Sequence, residues 1–193
     1  MRIIGGSSSG TTLKVPKGLG VRPTPDKVRL AIFNSLGESI DNSRVLELFA
    51  GTGALGLESI SRGASSCVFV ELSKKHSNVM KQNANSIGIS SKGMHFKVED
   101  AFVAIKKLNN YNDCFDYIFA DPPYGEKNIG RRSESFAQQL LDDKNLPSLL
   151  KANGSLILGH TKRDTLEISN PWHLRKTLKH GDTLIEMIDL IKA

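Results

Sequence analysis

The sequence predicts an α/β fold in which a mostly parallel β-sheet of seven strands carries helices on both faces, and three observations support it. Short apolar runs alternate with amphipathic segments five times in succession, which is typical of β-α units that share a parallel sheet. A glycine-rich turn joins the first apolar run to the segment that follows it. The last two apolar runs adjoin each other, so we expect them to form an antiparallel pair.

The spacing of apolar residues gives approximate bounds for these elements. A first helix is expected after Thr24 as N-cap, with Pro25 at its first helical position and a stop at Gly37. The expected strands cover residues 44–49, 66–70, 94–98, 116–120, 155–159, 172–178 and 184–191. The helices expected between them cover residues 53–62, 74–87, 102–108 and 133–141.

The start of the chain differs from the rest in charge and composition. Residues 1–4 and 11–15 flank a loop rich in Gly and Ser, and we expect them to pair as a small hairpin. Residues 1–29 hold six basic side chains and one acid, so five of the six net positive charges of the chain lie there. We therefore predict a basic extension over residues 1–24 that contacts a polyanion, followed by one domain over residues 25–193. The alternative is a solvated basic tail without a partner.

The composition argues against several other classes of protein. Two cysteines are too few for a disulfide framework, and they do not form a Cys-x-x-Cys pair. No apolar run approaches the length that crosses a bilayer, and the N-terminus lacks the apolar core of a signal peptide. We expect a monomeric cytoplasmic protein that binds no membrane and no metal.

A glycine-rich loop follows the first predicted strand. Residues 51–56 read GTGALG, and glycines at these positions let a ligand approach the backbone. Glu71 ends the second strand, where its carboxylate can accept hydrogen bonds from both hydroxyls of a ribose, and Asp100 follows the third, where it can accept from an adenine amino group. The loop therefore predicts a nucleotide cofactor, but it fits NAD as well as S-adenosylmethionine.

The tetrapeptide Asp121-Pro122-Pro123-Tyr124 follows the fourth predicted strand. A carboxylate and an aromatic ring there can hold a planar amino group by hydrogen bonds and by stacking. The two prolines remove two N–H donors, so the nearby carbonyls stay free to accept. The alternative is a proline-rich turn that Asp121 merely caps.

Two details favour a methyl donor over NAD. So short a chain shows no second half to bind a nicotinamide and no acid pair for hydride transfer. The tetrapeptide ends the strand expected beside the first one, at the switch point where such sheets bind ligands. We therefore expect the glycine loop and the tetrapeptide to face the same crevice.

With these motifs together, the chain resembles the Rossmann-like class I methyltransferases that modify exocyclic amino groups. More closely, it is similar to the bacterial 16S ribosomal RNA guanine-N2 methyltransferase family (RsmD type). The matching motifs are residues 1–4 with Gly6, residues 22–24 with Asp26, Val28 and Arg29, residues 49–58, and residues 121–124. The chain departs from the family pattern at its serine-rich residues 7–9, at Thr11 and Thr12, and at His160, where the family has an acidic residue.

The resemblance implies methyl transfer from S-adenosyl-L-methionine to N2 of a guanine in the 16S rRNA of the small ribosomal subunit. It implies that catalysis rests on Asp121, Pro122, Pro123 and Tyr124. The cofactor residues that it implies are Glu47, Phe49, Ala50, Gly51, Thr52, Gly53, Glu71, Leu72, Asp100 and Ala101. The RNA-binding residues that it implies are Arg2, Arg22, Thr24, Lys27 and Arg29. Arg131 and Arg132 are candidates for a second phosphate contact.

Three alternatives remain open from the sequence. The same tetrapeptide suits amino methylation of another nucleic acid or of a protein amide. The glycine loop suits an NAD-binding oxidoreductase. A nucleic-acid-binding module that retains the pocket without catalysis would carry the same motifs.

Overall fold

The structure is a computed structural model that describes residues 1–16, 24–124 and 131–191. The chain divides into two compact units, Met1–Ala101 and Phe102–Ala193. The described residues form seven strands of a mostly parallel sheet, which confirms the fold class that the alternating pattern predicts.

The first unit contains three parallel strands in the order β3-β2-β1. Its elements are α1 (Asp26–Leu36), β1 (Arg44–Leu48), α2 (Ala54–Ser61), β2 (Ser66–Val70), α3 (Lys74–Ser86) and β3 (Met94–Lys97). Helix α2 is buried along its whole length and contacts β1 and β2. Gly56 permits this approach, because a Cβ there would lie 2.6 Å from Cys67 Sγ and against the ring of Phe69.

The second unit contains four strands in the order β4-β5-β7-β6, of which β4 and β5 are parallel. Its elements are β4 (Phe115–Ala120), α5 (Phe136–Asp142), β5 (Leu150–Thr161), β6 (Trp172–His180) and β7 (Thr183–Leu190), and α4 (Ala101–Asn110) begins at the boundary of the two units. Strand β7 pairs antiparallel with both β5 and β6, so the predicted antiparallel pair is confirmed. Strand β5 starts at Leu150, before the expected start at residue 155. Residues 151–153 are exposed, so no apolar pattern indicated a strand there.

Two helix starts differ from the sequence prediction. Pro25 has an extended ψ of 150° and is the N-cap of α1, so the predicted cap at Thr24 is wrong. The Pro25 carbonyl accepts hydrogen bonds from the N–H groups of Val28 and Arg29. Helix α5 begins after Ser135, whose hydroxyl accepts from Gln138 N at 3.2 Å.

The first 16 residues pair as the sequence predicts. Arg2 and Thr12 form an antiparallel bridge, and the N–H of Ile3 donates to the carbonyl of Thr11 at 2.9 Å. The side chains of Ile3 and Leu13 are buried, at 0% and 2% exposure, so this hairpin packs into the first unit. The functional division of the chain at residue 24 stays a prediction.

Candidate functional site

The backbone of the glycine loop turns sharply between β1 and α2. Phe49, Gly51 and Gly53 all have positive φ, at 54°, 54° and 74°. Such a φ costs a residue with a side chain about 1–3 kcal/mol, and Phe49 carries that strain. A Cβ on Gly53 would lie 2.7 Å from Met80 Cγ, so both the conformation and the packing favour glycine there.

Glu71 holds this loop from the end of β2. Its carboxylate accepts a hydrogen bond from Gly51 N at 2.8 Å and another from Ser73 N at 2.8 Å. His76 Nδ1 lies 3.5 Å from the same carboxylate. The structure therefore joins Glu71 to the glycine loop across 20 residues of chain. Its predicted role toward a ribose stays a prediction.

Glu47 supports the end of the glycine loop from β1, a role that the sequence analysis did not predict. Its two carboxylate oxygens accept hydrogen bonds from Leu55 N at 3.1 Å and Gly56 N at 3.0 Å, at the start of α2. The side chain is buried among β1, α2 and Phe69, and burial raises the pKa of Glu47 to about 8. Because both oxygens accept hydrogen bonds from backbone N–H groups, Glu47 positions the start of α2. Its predicted contact with the cofactor stays a prediction.

The other predicted cofactor residues lie at the ends of strands in the first unit. Leu72 is 69% exposed, which is unusual for a leucine and leaves an apolar surface beside Glu71. Asp100 is half-buried, and Ala101 is the first residue of α4. The remaining loop positions, Ala50 and Thr52, are buried. Direct cofactor contacts by these residues stay predictions.

Asn83 links the glycine loop to the N-terminal hairpin and was missed by the sequence analysis. The side chain, 1% exposed on α3, donates from Nδ2 to the carbonyls of Thr52 and Lys14, both at 3.0 Å. Its Oδ1 accepts from Lys14 N at 2.7 Å. One buried amide therefore holds two segments that lie far apart in the sequence.

Glu58 anchors the hairpin to α2 from the other side. Its carboxylate accepts hydrogen bonds from Ile4 N and Gly5 N, both at 2.8 Å, and pairs with Arg62 Nε at 2.8 Å. Arg29 Nη1 lies 3.6 Å from the same carboxylate. The glutamate of the predicted motif 49–58 thus has a structural role that its position in the chain did not indicate.

The structure corrects the RNA-binding role predicted for Arg29. Its side chain is 0% exposed, and Nη2 donates to Asp26 Oδ1 at 2.7 Å and to the carbonyl of Arg2. A guanidinium enclosed by acidic and carbonyl oxygens cannot reach a phosphate. Arg2 is 71% exposed along its side chain and Lys27 is exposed, whereas Thr24 is 8% exposed. Arg22 lies outside the described residues.

The predicted catalytic tetrapeptide follows β4 in the second unit. Asp121 is half-buried, Pro122 is buried, and Pro123 and Tyr124 are exposed. The Asp121 carboxylate occupies the space beside Gly159 of β5, where a Cβ would fall against Oδ1 and 3.0 Å from Cγ. Gly159 therefore shapes the site. A glycine inside an apolar strand is a signal of such a close approach.

Two further contacts define this part of the second unit. Tyr124 Oη lies 3.2 Å from Thr183 Oγ1, which tethers the ring of Tyr124 to the start of β7. His160 is buried, and its ring nitrogens lie 3.1 Å from Glu186 Oε1 and 3.0 Å from the Asp164 carbonyl. His160, where the chain departs from the family pattern, therefore lies in a buried polar cluster.

Arg132 is committed to two carboxylates. Its guanidinium donates to Asp142 at 2.7 Å and to Glu167 at 2.9 Å, and these contacts raise the pKa of Arg132. These ion pairs compete with the phosphate contact predicted for Arg132.

Within the described ranges, no group of three or more His, Cys, Asp or Glu residues could hold a metal ion. Among those residues, no helix has both the length and the apolar character of a membrane span.

Comparison with known families and proteins gives consistent matches over most of the chain. The model of the family described as conserved hypothetical protein 95 matches residues 1–189. The ribosomal RNA small subunit methyltransferase D of Haemophilus influenzae is 34% identical over 181 residues, which cover 94% of this chain and 89% of that protein.

Solved structures extend these matches to the fold. A hypothetical protein of Thermus thermophilus is 27% identical with a TM-score of 0.80, over 98% of this chain and 99% of that one. The SAM-dependent methyltransferase of Agrobacterium tumefaciens has a TM-score of 0.57 at 23% identity, over 69% of this chain and 44% of that one. The second match bears on the fold alone, and it agrees with the predicted class I methyltransferase fold.

Proposed function

Because the chain belongs to the family of ribosomal RNA small subunit methyltransferase D, described in its family model as conserved hypothetical protein 95, we propose that it methylates the exocyclic N2 amine of a guanine in 16S rRNA. The chain is an S-adenosyl-L-methionine-dependent rRNA methyltransferase. This membership excludes the NAD-binding oxidoreductase among the alternatives. The proposal concerns the guanine, its N2 atom and the residues that act on it.

One observation supports an amino group as the acceptor. The Asp121 carboxylate lies in the space beside Gly159, and two prolines that lack N–H groups follow it. An exocyclic amine presents two N–H donors, so a loop rich in acceptors and poor in donors complements it. The carboxylate and the Pro122 carbonyl are the two acceptors in this proposal.

The chemical difficulty lies in the amine, whose lone pair is delocalised into the guanine ring. Hydrogen bonds from both N–H groups to Asp121 and the Pro122 carbonyl would favour a pyramidal nitrogen with its lone pair available. Holding the amine in line with the methyl group is worth roughly 7–11 kcal/mol in favourable cases. The amine becomes acidic once it is methylated, so its proton can leave to water and no strong base is required.

Tyr124 supplies the surface on which the guanine would stack. The residue is 39% exposed, and the contact between its hydroxyl and Thr183 restrains the orientation of the ring. Stacking of a base on an aromatic ring is worth about 1–3 kcal/mol. A paired guanine is stacked between its neighbours and donates one N2–H to its partner base, so the target base must be unpaired or flipped out of its helix.

S-adenosyl-L-methionine supplies the methyl group on its sulfonium when it is bound. The donor set of the first unit fits this molecule: Glu71 offers a carboxylate for ribose hydroxyls, Leu72 offers an exposed apolar surface, and Asp100 offers an acceptor for an adenine amine. The backbone of the glycine loop permits close approach of the ligand.

In the N-terminal hairpin, exposed Arg2 is a candidate for phosphate contact, together with Lys27 on α1. Deleting residues 1–20 would not test this cleanly, since Glu58 would lose the N–H groups of Ile4 and Gly5. Replacing Arg2 and Lys27 by Gln leaves those contacts intact. We further propose that the enzyme acts as a monomer on 16S rRNA of the small subunit.

The decisive experiment supplies labelled S-adenosyl-L-methionine together with one acceptor at a time. The acceptors are free 16S rRNA, small subunits that lack the methyl group, DNA and a protein extract. We expect label in 16S rRNA, recovered as N2-methylguanosine after digestion, in the free or the assembled form. Label recovered as a methylated adenine, a methylated cytosine or a protein amide would contradict the proposal.

A further inference from the structure

We propose that the exposed side of α3, together with β3, is a second surface on which the enzyme binds phosphates of its RNA. This inference rests on the rRNA substrate proposed above and assigns that substrate a larger footprint than the N-terminal hairpin. We call this surface the lysine face and define it by Lys14, Lys74, Lys81, Lys92 and Lys97.

The charge of this segment is one-sided. Residues 72–98 include five lysines and two histidines but no aspartate or glutamate. The net charge of residues 30–193 is close to zero, so this sum hides the local excess of positive charge over residues 72–98. A run of lysines that spans a helix, a turn and a strand without an acid provides the electrostatic footprint of a polyanion-binding surface.

The helix sets the spacing of two of these lysines. Lys74 and Lys81 lie seven residues apart on α3, so they point to the same side of the helix. Lys81 Nζ lies 5.9 Å from the centroid of the Phe96 ring, which connects α3 to β3. Strand β3 is the outermost strand of the first unit and carries Lys97. The exposed Lys92 lies two residues before the start of β3.

The first turn of α3 is unfavourable for helix stability. Lys74 and Lys75 occupy it, although the positive end of the helix dipole disfavours cations there. The acid at this end is Glu71, which precedes the helix and accepts from Ser73 N. Helix stability alone would favour acids at these positions. Lysines at this end of the helix are placed where they could contact an anionic partner.

The N-terminal hairpin adds a cation to the same surface. Lys14 Nζ donates to Gln82 Oε1 at 3.1 Å, one residue beyond Lys81. The backbone of Lys14 is held to α3 by Asn83, through hydrogen bonds of 2.7 and 3.0 Å. The hairpin predicted to contact RNA and the lysine face are therefore continuous, and a phosphate backbone that crosses one can continue onto the other.

The test compares two double variants with the same change in net charge. K74Q/K81Q removes two charges from the lysine face, whereas K106Q/K144Q removes two lysines of the second unit. Affinity for 16S rRNA is measured against salt concentration for each variant and for the parent protein. For K74Q/K81Q we expect about tenfold weaker binding at low salt and a slope of log affinity against log salt smaller by roughly 1.5–2. The control variant should match the parent.

Three further measurements separate this surface from the catalytic machinery. K74Q/K81Q should keep the affinity for S-adenosylhomocysteine and the kcat at saturating RNA, and its Tm should be no lower than that of the parent. Equal slopes of log affinity against log salt for the two double variants would contradict the proposed binding of RNA phosphates at the lysine face. A parent that shows no salt-dependent binding of 16S rRNA would instead contradict the proposed substrate, and this inference would fail with it.

Discussion

The glycine loop and the tetrapeptide Asp121-Pro122-Pro123-Tyr124, which we propose to be catalytic, are built in different ways. The glycine loop is held by buried carboxyl groups, since Glu47 and Glu71 accept hydrogen bonds from three of its backbone N–H groups. In the tetrapeptide, the Asp121 carboxylate fits against Gly159 because glycine lacks a Cβ, and the Tyr124 hydroxyl contacts Thr183 Oγ1. Its last two residues, Pro123 and Tyr124, are exposed.

The difference follows from the size of the two ligands. A cofactor is small and can enter a loop whose polar groups are already satisfied inside the protein, which keeps the loop rigid. A base attached to a large RNA has to reach an open surface with acceptors available to it. Variants of the tetrapeptide should therefore reduce methyl transfer without loss of cofactor binding. Variants of Glu47, which supports the glycine loop, should mainly change the free energy of unfolding.

The largest effect is expected for Asp121→Ala. The amine would lose its charged acceptor and its orientation, so we expect kcat to fall by about a thousandfold or more. Titration with S-adenosylhomocysteine should give the affinity of the parent enzyme. Equal loss of cofactor binding and transfer would show that Asp121 has a structural role instead, and it would remove the contrast between the two loops.

Gly159→Ala should reduce transfer by roughly a hundredfold, because the new Cβ displaces the Asp121 carboxylate by a fraction of an ångström to an ångström. Gly154→Ala is a matched control in the same strand, since its Cβ would press against the Asp116 carbonyl at 2.8 Å. Both variants should lower the Tm, and only Gly159→Ala should lower kcat strongly. Similar kcat values in the two variants would mean that Gly159 serves packing alone.

Tyr124 offers a smaller and graded test of stacking. Tyr124→Ala should lower kcat/KM by about 5- to 150-fold, in line with about 1–3 kcal/mol for stacking of a base. Tyr124→Phe keeps the ring and loses the contact to Thr183, so we expect a change of roughly two- to threefold. Steady-state kinetics on 16S rRNA distinguish the two, and identical losses in both variants would assign the effect to the hydroxyl.

Glu47→Gln should have the smallest effect on transfer and a clear effect on the pH dependence of stability. The pKa of Glu47 rises from 4.5 to about 8 on folding, so between these values the folded protein binds more protons than the unfolded chain. The free energy of unfolding should therefore fall as pH rises from about 5 to 8, by up to about 1.4 kcal/mol per pH unit from this group. Denaturant unfolding of Glu47→Gln should show a weaker dependence over the same range. An unchanged slope would refute the raised pKa.

Much of the fold could be predicted because its signals are local. The apolar spacing within β2 and α3 gave bounds that agree with the structure to within a residue, since periodicity depends only on neighbours in the chain. The start of β5 escaped prediction because residues 151–153 are exposed. Arg29 was misjudged by its charge, although it shares a helical face with Ile32, Phe33 and Leu36, and that spacing was a signal of burial.

The sequence by itself determined the order of strands and helices, the glycine loop and the Asp-Pro-Pro-Tyr motif, because each depends on a short stretch of chain. The tertiary structure alone decided that Glu47 supports the loop, that Asn83 joins the loop to Lys14, and that Asp121 needs the space beside Gly159. These roles depend on contacts between residues far apart in sequence and on burial. A residue's charge or position in the chain reveals neither of them.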